Sequence, residues 1–213
     1  MPKTAPFEKH VDQYEMWFEE YPAVYDAELR AVKALLPDRG LGMEIGVGTG
    51  RFAARLEIGL GVEPSARMAK TALQRDIRVV GGVAENLPFT PAMFDFVLMV
   101  TTVCFLDDTR RAFHEAWHVL KPEGVFIVGF VDRLSFLGQF YLAHQSESVF
   151  YRDATFYSVD EIVNGMRQSG FENFNFRQTI FKDLPEILPD ESILPGYGRG
   201  AFVVVKGKKK VTA

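Results

Sequence analysis

Strand-like and helix-like segments alternate along residues 41–131, and this alternation restricts the fold more than any other feature of the sequence. Five short apolar runs are each followed by a turn signal or by a stretch with helical spacing. Asp107 or Asp108 predicts the N-cap of a helix over Thr109–Leu120, and Lys121-Pro122-Glu123-Gly124 predicts a turn before the fifth strand, Val125–Val131. Phe94–Val100 is continuously apolar after Asp95, as expected for a strand that is covered on both faces. Because a chain with this pattern forms a parallel sheet with helices on both sides, the sequence predicts an α/β fold.

The segments on either side of this alternation carry different signals. Aromatic residues recur at a spacing of three to four before Leu36, which predicts an N-terminal helix. Ser158-Val159-Asp160-Glu161 predicts a capping box at the start of a later helix, and strands are predicted at Phe171–Phe181 and Gly200–Lys206. Residues 132–157 fit no strand–helix–strand unit, so we expect them to form an insertion.

Composition and charge exclude several classes of protein. A chain of 213 residues suits one domain, and its formal net charge of −4 argues against a nucleic-acid-binding protein. Cys104 is the one cysteine, which excludes an internal disulfide and a site built from several thiolates. No ligand cluster predicts a metal, and the longest apolar-rich run, Phe96–Leu106, is shorter than the roughly 20 residues that span a bilayer. We therefore expect a cytoplasmic protein without a metal, a nucleic-acid partner or a membrane segment.

A glycine-rich turn follows the first predicted strand. In Glu44–Arg51, the residues Gly46, Gly48 and Gly50 lie at the carboxyl end of that strand. Ligands of open α/β sheets bind at this edge, where glycine lets the backbone turn tightly and approach a ligand. Tight turns between a strand and a helix also use glycine for structural reasons alone. A dinucleotide fingerprint needs a further glycine where this chain has Arg51, which disfavours an NAD-type cofactor.

An acidic residue ends the second predicted strand. Glu63 lies 19 residues after Glu44, at a separation where a carboxylate accepts hydrogen bonds from ribose hydroxyls. From the residues alone, a second interpretation stays open. Ser65 predicts the N-cap of a helix over Ala66–Arg75, and an acid at that end is stabilised by the helix dipole.

Five segments occur in the order and at the spacing of one enzyme family. They are Glu44–Arg51, Gly61–Ser65, Gly82–Phe89, Phe94–Val97 and Val119–Gly124. With them the sequence resembles the class I S-adenosylmethionine (SAM) dependent methyltransferases, in particular the small-molecule group of methyltransferase type 11 that includes quinone-biosynthesis enzymes. The resemblance covers residues 10–131 by motif and residues 158–206 by predicted topology.

The resemblance implies a Rossmann-like, seven-stranded, mostly parallel sheet with helices on both faces and a helical lid. The implied strand order is 3-2-1-4-5-7-6, with the last strand antiparallel. The single domain of residues 1–213 is expected to have four parts, which are an N-terminal helical cap (1–36), a cofactor-binding half (41–131), a lid insertion (132–157), and a C-terminal helix with strands (158–206). DNA amino-methyltransferases usually carry an Asn/Asp-Pro-Pro-aromatic run after the fourth strand, where this chain has Met99-Val100-Thr101-Thr102. A small-molecule methyl acceptor is therefore expected.

The resemblance also implies which residues hold SAM, with S-adenosylhomocysteine as the product. The glycine loop would pass under the methionine portion, Glu44 would help to place its ammonium group, and Glu63 would hold the ribose hydroxyls. Met68 would lie near the adenine face, or else in the core. The whole implied set is Glu44, Gly46, Gly48, Thr49, Gly50, Glu63, Pro64, Met68, Ala84, Glu85, Val100 and Thr101.

Two further positions in this set have specific implied roles. The segment Ala84-Glu85 would bring a backbone N–H to the adenine edge, and Val100 with Thr101 would border the transferring methyl group. Val83 stands where the family usually has an aspartate that binds the adenine amino group. One adenine contact is therefore not expected here, although a typical hydrogen bond contributes only about 0.5–1.5 kcal/mol.

Methyl transfer from a sulfonium is an in-line displacement, which positioning and desolvation accelerate without a fixed catalytic constellation. The sequence accordingly shows no such constellation, and three residues are catalytic candidates: Tyr14, His10 and His144. The two histidines lie in segments that are expected to cover the site. Tyr14 matches in position an N-terminal tyrosine that is common near the cofactor in related enzymes.

Aromatic residues are concentrated in the segments that the cofactor motifs leave unexplained. The chain has 19 Phe, 7 Tyr and 2 Trp, and 13 of these 28 lie in residues 1–25 and 132–157. They either cover an apolar or ring-bearing small acceptor, or only anchor a lid to the sheet. The preferred interpretation is a SAM-dependent methyltransferase. The alternatives are a SAM-binding protein without turnover and, less favoured, an NAD-type oxidoreductase.

Overall fold

One mixed sheet runs through the protein in a computed structural model, which describes residues 3–210. Its strands are β1 (Gly42–Ile45), β2 (Leu60–Val62), β3 (Arg78–Val80), β4 (Phe94–Val100), β5 (Leu120–Val131), β6 (Phe171–Thr179), β7 (Leu194–Pro195) and β8 (Phe202–Lys209). They are ordered β3-β2-β1-β4-β5-β8-β6-β7. The first five in this order are parallel to one another, and β8 runs antiparallel to both β5 and β6. The predicted Rossmann-like α/β fold and its strand order are confirmed.

The structure adds an eighth strand to the seven that were predicted. β7 has two residues and pairs with β6, through Pro195 opposite Arg177 and Leu194 opposite Gln178. A two-residue strand leaves no periodic pattern in the sequence. Its proline is tolerated because β7 lies at the edge of the sheet, where no further ladder bond is needed.

Helices lie on both sides of the sheet. In the part of the chain that the structure describes, they are α1 (Ala5–Lys9), α2 (Val11–Glu20), α3 (Pro22–Lys33), α4 (Arg51–Arg55), α5 (Ala66–Leu73), α6 (Thr109–Val119), α7 (Phe136–Ala143) and α8 (Val159–Gln168). Side chains of β4 alternate between two apolar cores. Leu98 and Val100 pack with α3 and α4, whereas Val97 and Met99 pack with α6 and α8. This alternation explains why β4 is apolar at nearly every position.

The N-terminal segment forms three helices where the sequence predicted one. Tyr21 separates α2 from α3, and its backbone is not helical (φ −121°, ψ 56°). Pro22 begins α3, a position at which proline's missing N–H costs no helical bond. His10 separates α1 from α2 in a similar conformation. Because of these breaks, α3 packs on the sheet while α1 contacts α5.

A predicted turn at Lys121-Pro122-Glu123-Gly124 belongs instead to a strand. β5 begins at Leu120, which pairs with Phe94, and the register then shifts before Val125 pairs with Phe96. The ladder with β4 therefore extends beyond the apolar run, and the expected turn residues form an irregularity within the strand.

Three predicted helix starts are confirmed. The side chains of Ser65 and Asp108 each accept a hydrogen bond from the backbone N–H three residues further on. Ser158 and Glu161 make both bonds of a capping box at α8. Among residues 3–210, no helix is both long and apolar enough to cross a membrane, and no group of three or more His, Cys, Asp or Glu side chains could hold a metal ion.

Candidate functional site

A cavity of about 660 Å³ lies at the carboxyl ends of four parallel strands. The last residues of β1, β2, β4 and β5 line it, namely Ile45, Val62, Val100 and Val131. Residues of α1, α2, α3 and α7 complete its wall. The volume is in the range of ligand and cofactor sites, and the location is the one at which open α/β sheets bind ligands.

The glycine loop has the backbone conformation that its sequence predicts. Gly46, Gly48 and Gly50 have positive φ angles of 65°, 56° and 82°, which disfavour other residues. A Cβ atom on Gly46 would lie 2.4 Å from Cγ2 of Thr102, so a larger residue does not fit. The backbone N–H of Gly46 donates to the carbonyl of Val62 at 2.8 Å and ties the loop to β2. Gly46 and Gly48 line the cavity, whereas Gly50 opens α4 behind it.

Glu63 is held by the backbone around it. Its Oε2 accepts a hydrogen bond from the N–H of Gly48 at 2.9 Å, and its Oε1 accepts one from the N–H of Ser65 at 2.8 Å. The side chain lines the cavity although Glu63 is only 8% exposed. Burial raises the pKa of this carboxyl, and the two backbone hydrogen bonds oppose the rise. Each oxygen keeps a second acceptor site, so the group can still bind a pair of hydroxyls.

Glu44 lies under the glycine loop and is 2% exposed. Burial raises its pKa well above the usual value, while a hydrogen bond from the backbone of Ala53 acts in the opposite direction. Its Oε2 has no hydrogen-bond partner among the described residues. The cavity wall at this point is formed by the next two residues, Ile45 and Gly46, rather than by Glu44 itself.

The other implied cofactor residues fall into two groups. Most of them line the cavity: Pro64, Met68, Ala84, Glu85, Val100 and Thr101. Thr49 is a buried residue of the glycine loop itself and does not line the cavity. The carboxylate of Glu85 accepts hydrogen bonds from the backbone N–H groups of Asp107 and Asp108, at 2.9 and 3.3 Å, and therefore fixes the loop before α6.

Tyr14 lies beside the glycine loop. A Cβ atom on Gly48 would be 3.5 Å from its hydroxyl oxygen, and the side chain lines the cavity. Burial, together with the charges of Glu44 and Glu63, raises the pKa of the Tyr14 hydroxyl. The hydroxyl therefore stays protonated and can donate a hydrogen bond into the cavity.

The structure separates the two histidine candidates. His144 ends α7 and lines the cavity, with its Nδ1 at 2.9 Å from the carbonyl oxygen of Phe140 and its ring 4.3 Å from the Phe140 ring. His10 is exposed between α1 and α2 and does not line the cavity. Of the three catalytic candidates, Tyr14 and His144 are therefore brought to the site and His10 is not.

Aromatic rings from the N-terminal segment and from the lid insertion meet in the cavity wall. The ring of Phe7 lies 4.9 Å from that of Phe105 and 5.4 Å from that of Phe150. Tyr151 stacks on Phe105 at 5.9 Å and on Tyr141 at 5.1 Å. All five side chains line the cavity, so they join residues 132–157 to the rest of the wall and also form the surface that a ligand would meet.

Sequence reasoning missed one residue of this wall, Glu28 of α3. It is 6% exposed and lines the cavity, and burial raises the pKa of its carboxyl to about 8. The sequence did contain a signal, because Glu28 shares the apolar face of its helix with Tyr25, Leu29 and Val32, all of which are buried. A charged residue on such a face is rarely buried unless it has a partner or a function.

Comparisons with known proteins identify a methyltransferase both in a family model and in a solved structure. A family model described as a methyltransferase domain matches residues 43–128. The crystal structure of a SAM-dependent methyltransferase from Thermotoga maritima, described as a possible histamine N-methyltransferase, is 52% identical, with a TM-score of 0.95 over 97% of this chain and 100% of that one. An uncharacterized protein of Methanocaldococcus jannaschii is 41% identical over 203 residues, which are 95% of this chain and 98% of the relative.

More distant relatives differ in the atom that they methylate. A malonyl-[acyl-carrier protein] O-methyltransferase of Geobacter sulfurreducens is 27% identical over 196 residues, which cover 81% of this chain and 71% of that protein. Phosphoethanolamine N-methyltransferase 2 of Haemonchus contortus, in complex with SAM, has a TM-score of 0.63 at 18% identity, over 85% of this chain and 52% of that one. At that identity the likeness concerns the fold alone.

Proposed function

Because the chain belongs to the class I SAM-dependent methyltransferases, we propose that it transfers the methyl group of SAM to a small apolar or ring-bearing acceptor in the aromatic part of its cavity. SAM is the cofactor of this family, and S-adenosylhomocysteine is the product. When bound, SAM supplies an activated methyl group on a sulfonium, which is a good leaving group. The protein's part is to bind both reactants, align them and exclude water.

The residues at the carboxyl ends of β1 and β2 fit this cofactor. The buried carboxylate of Glu63 has two acceptor sites left for a ribose diol, and the left-handed turns at Gly46 and Gly48 keep side chains out of the space above the loop. Glu44 is buried and does not line the cavity, so its proposed part in placing the ammonium group is indirect, through the position of the glycine loop. Val100 and Thr101 end β4 and would border the methyl group.

One observation carries the proposal: the glycine loop and the aromatic wall line the same cavity. An in-line displacement needs the acceptor atom to approach the methyl carbon opposite the sulfur, so the two binding regions must be continuous. A closed wall between them would favour a protein that only binds SAM. The hydroxyl of Tyr14 lies beside the loop and is a suitable donor for positioning.

An NAD-type oxidoreductase is disfavoured by how the chain uses Arg51. The dinucleotide fingerprint needs glycine at this position. Here the Arg51 guanidinium pairs with the carboxylate of Glu15 at 2.5 Å and lies 4.9 Å from the centre of the Phe18 ring. The side chain therefore joins α2 to the glycine loop and could not be replaced by glycine without losing that contact.

Cofactor binding and methyl transfer can be tested one after the other. Calorimetry is expected to detect binding of SAM and S-adenosylhomocysteine but not of NAD; binding of NAD alone would contradict the proposal. The protein is then incubated with methyl-labelled SAM and a broad metabolite extract, with excess S-adenosylhomocysteine as the inhibited control. Label is expected in a small product. If SAM binds but no product forms in any pool, a SAM-binding protein without turnover becomes the better description.

A further inference from the structure

Glu28 is a buried carboxyl that has no hydrogen-bond or ion-pair partner among the described residues. It projects from α3, whose buried face packs against β5, β6 and β8. No hydrogen bond or ion pair joins its side chain to any of residues 3–210, and burial is the one cause that raises its pKa. Arg30, two residues further along α3, is already engaged by Asp26 and by the carbonyl of Glu191. A buried carboxylate without a partner is costly, so its place in a cavity wall points to a ligand that supplies one.

Aromatic side chains line the same cavity as this carboxyl. Its charge is among the causes that raise the pKa of the hydroxyls of Tyr14, Tyr141 and Tyr151, so it lies near all three. The same three side chains line the cavity, as does Trp17. A carboxylate within a group of aromatic faces is an arrangement that binds organic cations, because the rings and the carboxylate both attract positive charge.

The ionisable residues of the cavity wall are mostly acidic. Six acidic residues line it, and Lys3 is the one lysine or arginine among the described lining residues. The acids are Glu20, Glu28, Glu63, Glu85, Asp107 and Glu147. Glu63 and Glu85 are bound to backbone N–H groups, and Glu20 and Glu147 are exposed at the rim. A cleft lined by one sign of charge concentrates ligands of the opposite sign.

We propose that Glu28 binds the ammonium group of an amine substrate, which makes the chain an amine N-methyltransferase with nitrogen as the accepting atom. This inference rests on the function proposed above and adds the substrate class. It assigns different roles to two buried carboxyls of the cavity wall: Glu63 acts on the cofactor side, and Glu28 acts on the acceptor side.

The reaction balances with Glu28 as the proton acceptor. Glu28 holds a proton in the empty cavity at neutral pH and releases it to solvent when the amine enters as an ammonium ion, because the adjacent positive charge favours the carboxylate. The nitrogen of the bound ammonium then loses one proton to the Glu28 carboxylate. The freed lone pair attacks the methyl carbon of SAM, so that an N–C bond forms while the C–S bond breaks and its electron pair stays on sulfur. The methylated nitrogen then carries the positive charge, and Glu28 keeps the proton as the product leaves, which returns the empty cavity to its starting state with one proton released to solvent per turnover. Burial holds the carboxyl's pKa at about 8, which suits a group that gains and loses a proton near neutral pH.

The substrate class can be tested with a divided extract. Cation exchange separates a metabolite extract into a pool of amines and a pool without them, and each is incubated with labelled SAM. A panel of arylalkylamines, histamine included, and the matched alcohols are tested alongside. Label is expected in the amines only. Label in the amine-free pool or in the alcohols would overturn the inference while leaving methyltransferase function intact; label in neither, with SAM bound, would overturn both.

The role of Glu28 is tested with matched variants. Glu28→Gln is expected to lower kcat/KM for amines by at least about a hundredfold, with the Kd of S-adenosylhomocysteine changed less than about twofold. Glu28→Asp keeps the charge and is expected to recover part of the rate, which also covers the case in which the glutamine variant folds poorly. Glu19→Gln makes the same substitution at an exposed position outside the cavity and should behave like the wild type. Full amine turnover in Glu28→Gln would refute the assignment.

Discussion

Three buried carboxyls show how one residue type takes different roles at the same edge of the sheet. Glu63 receives two backbone hydrogen bonds, Glu44 has one oxygen unpaired, and Glu28 has no partner in the described chain. Burial raises the pKa of all three, and the effect is opposed least where hydrogen bonds are fewest. The fewer hydrogen-bond partners the protein gives a buried carboxyl, the more the presence of that carboxyl points to a ligand that supplies the missing partner.

Replacing Glu63 by alanine should weaken cofactor binding at least about tenfold, because one lost pair of charge-assisted hydrogen bonds corresponds to about 1.5–3 kcal/mol. The N–H groups of Gly48 and Ser65 also lose their acceptor, so the variant should be somewhat less stable. Calorimetric titration with S-adenosylhomocysteine measures the first effect. Thermal unfolding without ligand measures the second and sets a temperature at which the variant is fully folded.

The matched control for Glu63 is Glu19→Ala, which removes an exposed carboxylate from α2 and should leave both measurements unchanged. Glu63→Gln keeps one carbonyl oxygen and should bind with intermediate affinity. An unaltered dissociation constant in Glu63→Ala would remove this residue from the ribose site.

The sequence predicted the position of some of these residues for a physical reason. Gly46 and Glu63 follow strands directly, so their positions at the carboxyl edge depend on local order along the chain. No such rule predicts the position of Glu28 in the cavity wall, because that position depends on which elements pack over α3. His10 failed as a candidate for a related reason: being in the right segment did not bring it to the cavity.

At the scale of elements, α2 is attached to the glycine loop by an ion-pair network. The carboxylate of Glu15 pairs with Arg51 and with Arg75, each at 2.5 Å. Arg75 also donates to the backbone carbonyl of Thr49 at 2.7 Å. Burial alone would raise the pKa of Glu15, but the hydrogen bonds from the two arginines keep it below its usual value. This network orients the helix that carries Tyr14.

Glu15→Gln should therefore loosen α2 without unfolding the sheet. We expect a loss of about 1 kcal/mol in unfolding free energy, small because the pair is partly exposed, and SAM binding weaker by less than about tenfold. Urea unfolding and calorimetry measure these two effects. Glu19→Gln on the same helix is the control, and 1 M salt should reduce the difference between the variants. Equal stability of all three proteins would show that the network does not hold α2 in place.

Elements differed in how well sequence patterns predicted them. α5, α6 and α8 began at their predicted caps because a cap is a local hydrogen bond. The breaks at His10 and Tyr21 were missed, because aromatic spacing continued through them. β5 was longer than predicted since its pairing with β4 is a long-range contact.

At the scale of the whole molecule, the alternation of strands and helices along the sequence predicts the order of strands in the sheet. It does not predict the cavity. The wall combines segments from α1 to the lid insertion, more than a hundred residues apart along the chain. The aromatic composition of these segments predicted that they contribute to the site. The contact of Phe7 with Phe150 could be identified only from the folded structure. A protein that keeps an unpaired carboxyl in such a cavity should be less stable than its fold permits.

That cost should appear as a pH-dependent difference between the wild type and Glu28→Gln. The folded pKa of Glu28 is about 8 and its ordinary value is 4.5. Between these values the folded state holds a proton that the unfolded state has released, so wild-type stability falls as pH rises, by up to about 1.4 kcal/mol per pH unit. The stabilising effect is fully present below about pH 4.5 and is lost by about pH 8.

The glutamine variant lacks this dependence, so it should become increasingly more stable than the wild type from pH 5 to 8 and then keep a constant lead. The neighbouring hydroxyls of Tyr14, Tyr141 and Tyr151 have raised pKa values and do not titrate in this range. Glu44 and Glu63 titrate in both proteins and cancel in the comparison. Urea unfolding at pH 5, 6, 7 and 8 measures the difference. Parallel stability curves would mean that Glu28 is either solvated or paired, and would remove the physical reason for expecting a cationic ligand beside it.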